Sequence, residues 1–459
     1  MKTELKNKTF YKKTAVLMAP VVLQNLITTG INFLDNLMIG GLGEASIAAV
    51  SFGNTFYSLF NFICMGLGSG AVVLSSQFWG RRELEPMRGV ASIALRLGAL
   101  LGTIFSVLAI GFPGLVMRFY TNEAAIVAAG VPYLRTVGII YFLVGVSSVC
   151  TYLLRSVGVV RIPMISSIGA FFLNLFFNWV FIFGKLGAPE LGVVGAAIGT
   201  VIARVFEFCF VVGCFVWKDE RIGFRLKHLL LRGGALWRQY FRYAVPVLVS
   251  DTLLGLSLSL TNTVLGHVGE AVSAAAAITS SMVQIVTVLN TAAGTVSAII
   301  IGNTIGEGDI PRARREGNSY MLLSFLFGLL LIVPVLLLEG PYFSLYDISG
   351  ETRAIAHGIL LVNCCFLPMQ TNAYLSSKGV LRGGGDTRFI MVADSACVWF
   401  ISLPLGVLAA FVWGWSAVWV YVCLRIQYPL KGIICLIRYA SGKWIREIRA
   451  GEEKIRDMR

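Results

Sequence analysis

The stretch Pro20–Ala49, PVVLQNLITTGINFLDNLMIGGLGEASIAA, returns 226 residues later as PVLVSDTLLGLSLSLTNTVLGHVGEAVSAA. Aligned without a gap, Pro20 pairs with Pro246, Gly40 with Gly266, Gly43 with Gly269 and Glu44 with Glu270. The register continues through Gly68/Gly294, Gly80/Gly306 and Gly114/Gly340. The chain is therefore two copies of one unit, and any fold it adopts must be a duplicated one.

The unit is built for lipid. Charged residues make up 14% of the chain and hydrophobic ones 56%, where a soluble protein carries about 25% charge. At roughly 20 residues per membrane crossing, apolar runs predict spans near 14–38, 47–76, 89–112, 130–153, 163–184, 190–217, 240–264, 272–303, 315–337, 355–378, 389–412 and 414–439. The expected fold is an all-α polytopic membrane protein of twelve transmembrane helices. Each copy holds an even number of spans, so the two six-helix repeats are parallel, related by an axis along the membrane normal. The domain reading is an N-terminal tail (1–13), an N-terminal bundle (14–217), a linker (218–239), a C-terminal bundle (240–439) and a basic tail (440–459). Alternating apolar and basic residues in the linker suit an interfacial helix, and a solvated linker is the alternative.

A net charge of +14 would suggest nucleic acid in a soluble chain. Here the lysines and arginines gather in alternate connections and at both ends, and the other connections hold only Arg118, Lys185 and Arg353. That asymmetry predicts cytoplasmic termini and anionic lipid as the neighbour of the basic segments, with no nucleic acid partner. The apolar run after Lys13 carries Asn25, Asn32 and Asp35 and lacks a small-residue cleavage site, so it reads as an uncleaved first span. The nine cysteines lie in or beside apolar runs without metal-ligand spacing and read as buried small hydrophobes.

Asp35 stands alone among apolar residues, where a charge costs about 2.5 to 3.5 kcal/mol at a helix centre on insertion scales. Its counterpart in the second copy is Thr261, so chemistry that needs this carboxylate belongs to the first half. Asp251 and Asp394 are candidate acids for a polar cavity in the C-terminal bundle, or else partners of arginines. Arg204 and Glu207, spaced i, i+3, read as a mutual ion pair, and Arg96 as a side chain that snorkels or pairs with one of these acids. A connection repeats at an offset of 227, LLRSVGVVRIPM against VLRGGGDTRFIM, through Arg155/Arg382, Gly158/Gly385 and Arg161/Arg388. Gly383 belongs to the same tight loop, and Asp386 reads as a turn or helix cap. No GxxxxGK[ST] motif occurs, so the chain does not hydrolyse ATP.

The order of Pro20, Asp35 and MIGGLG, with FNWVFIFGKLGAPELGVVGAAIGT in the first half and LRGGGDTR in the second, resembles the multidrug and toxic compound extrusion (MATE) transporters, in the branch with an acidic first span. The resemblance covers about residues 10 to 440. It implies two bundles forming a V around a central cavity and export of organic cations or other amphipathic xenobiotics by alternating access, in exchange for H⁺ or Na⁺. It also implies an ion site in the N-terminal bundle at Asp35, Asn174, Asn178 and Thr200.

Asn174 and Asn178 are spaced i, i+4 and face the same way. Their oxygens, with those of Thr200 and Asp35, make either a hard-cation cage or a polar nest around a protonatable carboxylate; the structural alternative is interhelical glue. Position 178 departs from the family, which has Asp there. One negative charge fewer favours H⁺ over Na⁺, and beyond Na⁺ at Asp35 no metal is expected. No cofactor is expected, and a monomer is. Pro20, inside the first span, frees a carbonyl and permits a bend; protonation of Asp35 is expected to change helix packing there and expel substrate. The localisation expected is the inner (plasma) membrane.

A lipid or lipid-linked-saccharide flippase on a related fold is the rival reading, and it would want arginines facing the cavity. A membrane-embedded enzyme would want metal-ligating histidines at depth, and His228, His267 and His357 all lie near connections. Trp413, Trp415 and Trp419 around the last outward turn read as an interfacial belt.

Overall fold

The computed structural model describes residues 8–39, 44–231, 234–346 and 348–449. Among the described residues every regular element is helical, and twelve helices are long and apolar enough to cross a membrane. In the first half these are α1 (Lys8–Ile39), α2 (Glu44–Gly80), α3 (Leu84–Gly111), α4 (Ala124–Ser156), α5 (Arg161–Ile182) and α6 (Gly192–Lys218). In the second they are α7 (Ala235–Val268), α8 (Glu270–Gly306), α9 (Ile310–Phe343), α10 (Gly350–Leu381), α11 (Thr387–Val412) and α12 (Ala417–Ala440). Gly40 and Gly43 of the first repeat lie outside the described residues.

Two compact units emerge, one holding 19–248 and the other 8–18 with 249–449. The boundaries at Met18/Ala19 and Leu248/Val249 fall inside α1 and α7, beside Pro20 and Pro246. The start of α1, six residues earlier than the apolar run alone suggests, belongs with the second half. Phe10 packs edge-on against Tyr320 with ring centroids 5.1 Å apart, and the Thr14 and Tyr320 hydroxyls are 3.0 Å apart.

Close helix approach in each unit is made by small residues, as expected where hydrophobic association is absent. In the N-terminal unit a Cβ on Gly98 of α3 would lie 2.5 Å from the Gly145 carbonyl oxygen of α4. Phe56, Phe60, Phe105 and Tyr141 pack together in the core there. In the C-terminal unit a Cβ on Gly328 of α9 would lie 3.0 Å from the Pro368 nitrogen of α10. π-helical turns interrupt α10 at Leu375–Leu381 and α11 at Ala396–Ser402, and turns of this kind re-aim side chains at functional places.

Among its described residues the connection after α6 forms no interfacial helix. Its regular part is a short 3-10 turn, Leu226–Leu230, and the segment is pinned along α3 instead. Arg88 Nε donates to the Ile222 carbonyl at 2.9 Å and Ser92 Oγ to the Leu229 carbonyl at 3.2 Å. Arg96 donates to the Leu229 and Leu231 carbonyls, so this intramembrane arginine satisfies loop backbone and not an acid. Of the cysteines, Cys209 and Cys365 are exposed and Cys214 is half-buried; the other six are buried. The three tryptophans around the last outward turn are exposed, with the Trp413 and Trp415 rings tilted at 35° and 4.9 Å apart.

Candidate functional site

Three helices bring four of the expected residues together in the N-terminal unit. The i, i+4 spacing on α5 puts Asn174 and Asn178 on one face, and both are buried. Asn178 Nδ2 donates to Asp35 Oδ1 on α1 at 2.6 Å and lies 3.3 Å from Asn174 Oδ1. Asn174 Nδ2 in turn donates to Thr200 Oγ1 on α6 at 3.4 Å, and that hydroxyl donates to the Ala196 carbonyl at 2.9 Å. The result is a relay of hydrogen bonds running from α6 through α5 to the carboxylate on α1. A carboxylate held by an N–H donor makes the stronger, charge-assisted kind of bond.

Gly199 lets α6 come this close. A Cβ there would lie 2.9 Å from the Asn178 backbone nitrogen and would strike Asn178 Oδ1. That Oδ1 is buried without a hydrogen-bond partner, an omission that buried polar atoms in native structures seldom show.

Asp35, Asn174 and Thr200 line a cavity of about 70 Å³. At roughly 10 to 15 Å³ per water-sized probe sphere, it holds a few waters or an ion with part of its shell, and no drug-sized molecule. Asn54 and Tyr57 of α2, Tyr133 and Tyr141 of α4 and Arg204 of α6 complete its polar lining. Arg204 follows Thr200 by one turn, and its Nη1 donates to Glu207 Oε2 at 2.6 Å. Tyr133 Oη reaches Asn54 Oδ1 at 3.5 Å. The tyrosines come from helices remote in sequence, and no local pattern marks them.

The two candidate acids of the C-terminal unit are enclosed, each about 2% exposed, and neither is a free carboxylate. Asp251 on α7 receives Arg382 through Nη2 at 2.9 Å and Nη1 at 3.2 Å, and Lys378 on its Oδ1. Asp394 on α11 receives Lys431 at 2.5 Å, Ser250 Oγ at 2.7 Å and Lys378 at 3.2 Å. Lys378 thus bridges the two acids, and two carboxylates face three bases. Lys378 falls on the last residue of the predicted span 355–378 and passes for a connection residue, and Lys431 lies within the predicted span 414–439, one basic residue amid apolar ones. The signal that could have found them is a lone lysine inside a predicted span, at SSKGV and PLKGI.

In the repeated loop, Gly383 is forced by the approach of α8, since a Cβ would lie 2.6 Å from the Ala298 carbonyl oxygen. Arg388 is exposed. Asp386 stands at the N-cap position of α11, but its side chain makes no cap bond. It accepts instead from Arg438 Nε at 2.6 Å and pairs with Arg446 Nη2 at 2.6 Å. Arg446 N also donates to the Gly384 carbonyl at 2.8 Å, and Trp444 is buried beside it. The segment after α12 is therefore docked on the loop as far as Arg449. Pro20 lies within α1, which stays helical on both sides of it. Among the described residues no group of three or more His, Cys, Asp or Glu is placed to hold a metal.

The MatE family model matches residues 20–180 and 246–408, one match in each repeat. A probable multidrug resistance protein NorM of Neisseria meningitidis serogroup B is 23% identical over 437 residues, 94% of each chain. The probable multidrug resistance protein YoeA of Bacillus subtilis is 24% identical over 419 residues, 88% of each chain. A solved outward-facing multidrug resistance MATE family transporter of the MOP superfamily superposes with a TM-score of 0.85 at 19% identity, over 94% of this chain and 96% of that one.

Proposed function

The chain belongs to the MatE family, and from that premise we propose that it is a secondary antiporter exporting organic cations or amphipathic drug-like compounds, with Asp35 as the group that exchanges the coupling ion. The observation that carries the reading is the bond from Asn178 to Asp35, a residue lining a cavity too small for cargo. A site that admits an ion and excludes a drug is suited to coupling, and it leaves cargo to be bound elsewhere.

The coupling ion in this reading is H⁺, with Na⁺ the alternative. Position 178 supplies an amide and not a second carboxylate, and that amide turns an N–H toward Asp35. Asn174 Oδ1 is already engaged by Asn178. The other oxygens around the cavity, from Asn54, Thr200 and three tyrosines, are neutral and bring no second charge to hold Na⁺, whereas a proton needs only the carboxylate. Taking up a proton removes the charge from α1, weakens the bond from Asn178 and changes how α1 packs at Pro20, narrowing the binding space and expelling cargo. With one proton in for one monovalent cation out, no net charge moves, and the pH difference alone drives export at about 1.4 kcal/mol per unit. The protein acts as a monomer in the inner (plasma) membrane, with both termini cytoplasmic.

The test is uptake of a fluorescent organic cation into inside-out vesicles under a proton gradient and then a sodium gradient, comparing wild type with Asp35→Asn. Uptake driven by the proton gradient and lost in the variant is expected. Uptake of normal strength in Asp35→Asn sinks the assignment of Asp35, and no uptake by wild type under either gradient moves the function to a flippase.

A further inference from the structure

The cavity that holds the only acid of α1 also holds a cation of the protein's own. Thr200 and Arg204 are one turn apart on α6, and both face the cavity beside Asp35. The guanidinium-bearing and carboxylate-bearing residues thus share one small cavity. Yet the acid to which Arg204 is bonded is Glu207, through Nη1 at 2.6 Å. A guanidinium carries five N–H donors in a rigid fork, so this pair is more than an i, i+3 surface ornament. It fixes a permanent positive charge at the wall of the ion cavity.

Asp35, Arg204 and Glu207 together carry one net negative charge, which one monovalent cation neutralises. A metal cation in the cavity would have to sit near both Asp35 and the guanidinium, and would have to find its oxygen ligands beside five N–H groups that offer none. A proton bound to Asp35 becomes part of a neutral carboxyl group and occupies no volume of the cavity. Resting on the proposal that Asp35 exchanges the coupling ion, we propose that Arg204 is the specificity-determining residue of the site: a tethered cation that excludes Na⁺ and leaves H⁺ as the only ion able to load Asp35. Glu207 is the positioning residue that keeps the guanidinium from collapsing onto Asp35. The remaining polar side chains of the wall, Asn54, Tyr57, Tyr133, Tyr141, Asn174 and Thr200, are neutral and add no charge to that balance.

The experiment uses the full-length protein in inside-out vesicles and a fluorescent organic cation, with a proton gradient or a sodium gradient imposed separately. Wild type should be driven by the proton gradient and be neither driven nor inhibited by Na⁺ at constant pH. Arg204→Gln, which keeps a donor for Glu207 but loses the charge, should gain a sodium-driven component at least about tenfold above wild type, the equivalent of about 1.4 kcal/mol. Arg204→Lys keeps the charge and should stay blind to Na⁺. A purely structural role predicts instead that Gln lowers transport under both gradients with no change in their ratio, and that result overturns the inference. So does sodium-driven or sodium-inhibited transport by wild type, a measurement that needs no variant to fold. Proton-driven transport that survives Asp35→Asn overturns the underlying site, and is told apart because it appears without any change at Arg204.

Discussion

Asn178 donates its Nδ2 hydrogen to Asp35 Oδ1 at 2.6 Å while its own Oδ1 is buried without a partner. The amide is thus committed to the carboxylate even though its oxygen is left unbonded. Hydrogen bonds to charged groups contribute about 1.5 to 3 kcal/mol. Asn178→Ala should accordingly lower gradient-driven export by about tenfold or more, at a normal amount of protein in the membrane. Unchanged export would mean that Asp35 does not depend on this amide.

Gly199 is the reason the two helices can make that bond. A methyl group there meets the Asn178 backbone and side chain together, and overpacking of this kind costs about 1 to 3 kcal/mol. Gly199→Ala should lower the melting temperature of the detergent-solubilised protein and weaken export. Gly111→Ala, where a Cβ meets nothing within 4 Å, is the control and should leave both unchanged. Equal effects of the two would show that glycine content and not the α5–α6 contact is responsible.

Charge counting orders the variants of the C-terminal cluster. Asp251 and Asp394 against Lys378, Arg382 and Lys431 leave one net positive charge in the interior. Asp251→Asn raises that to two, while Lys378→Met brings it to zero. Removing one partner of a buried pair costs about 3 to 5 kcal/mol when it strands a charge. Asp251→Asn should therefore destabilise the protein more than Lys378→Met, and adding Lys378→Met to Asp251→Asn should restore much of the loss. A double variant no better than Asp251→Asn alone, in thermal melts, would refute the charge-count account.

Two kinds of residue were differently legible in the sequence. Asp35 stands out because an acid in an apolar run is expensive wherever the chain folds, and the pairing of Arg204 with Glu207 follows from helical spacing alone. Lys378 is hidden because the edge of an apolar run does not say where a helix stops. A π-helical turn at Leu375–Leu381 carries Lys378 into the interior, and composition cannot show such a turn. The linker after α6 alternates as an amphipathic helix would, yet Arg88 and Arg96 bind its carbonyls. Tertiary hydrogen bonds outweighed a weak local preference there. Tyr57 and Tyr133 meet only when α2 and α4 pack, and Asp386 finds Arg446 only when the chain after α12 folds back.

Pro20 and Pro246 occupy matching places in the repeat, and the division between the compact units falls beside each of them. A proline inside a helix lacks the N–H that would bond to the carbonyl four residues back, Val16 for Pro20 and Arg242 for Pro246. Each helix is therefore weakest where it leaves one unit for the other. Pro20→Ala restores the bond, so melting temperature should hold or rise while export falls. The fall should be larger for Pro20→Ala than for Pro246→Ala if bending of α1 is what couples the ion to cargo, because α7 has Thr261 at the place that Asp35 holds in α1. Comparable losses from both would assign the prolines to a general hinge between units. Normal export by Pro20→Ala would remove α1 bending from the mechanism while leaving the ion site untouched.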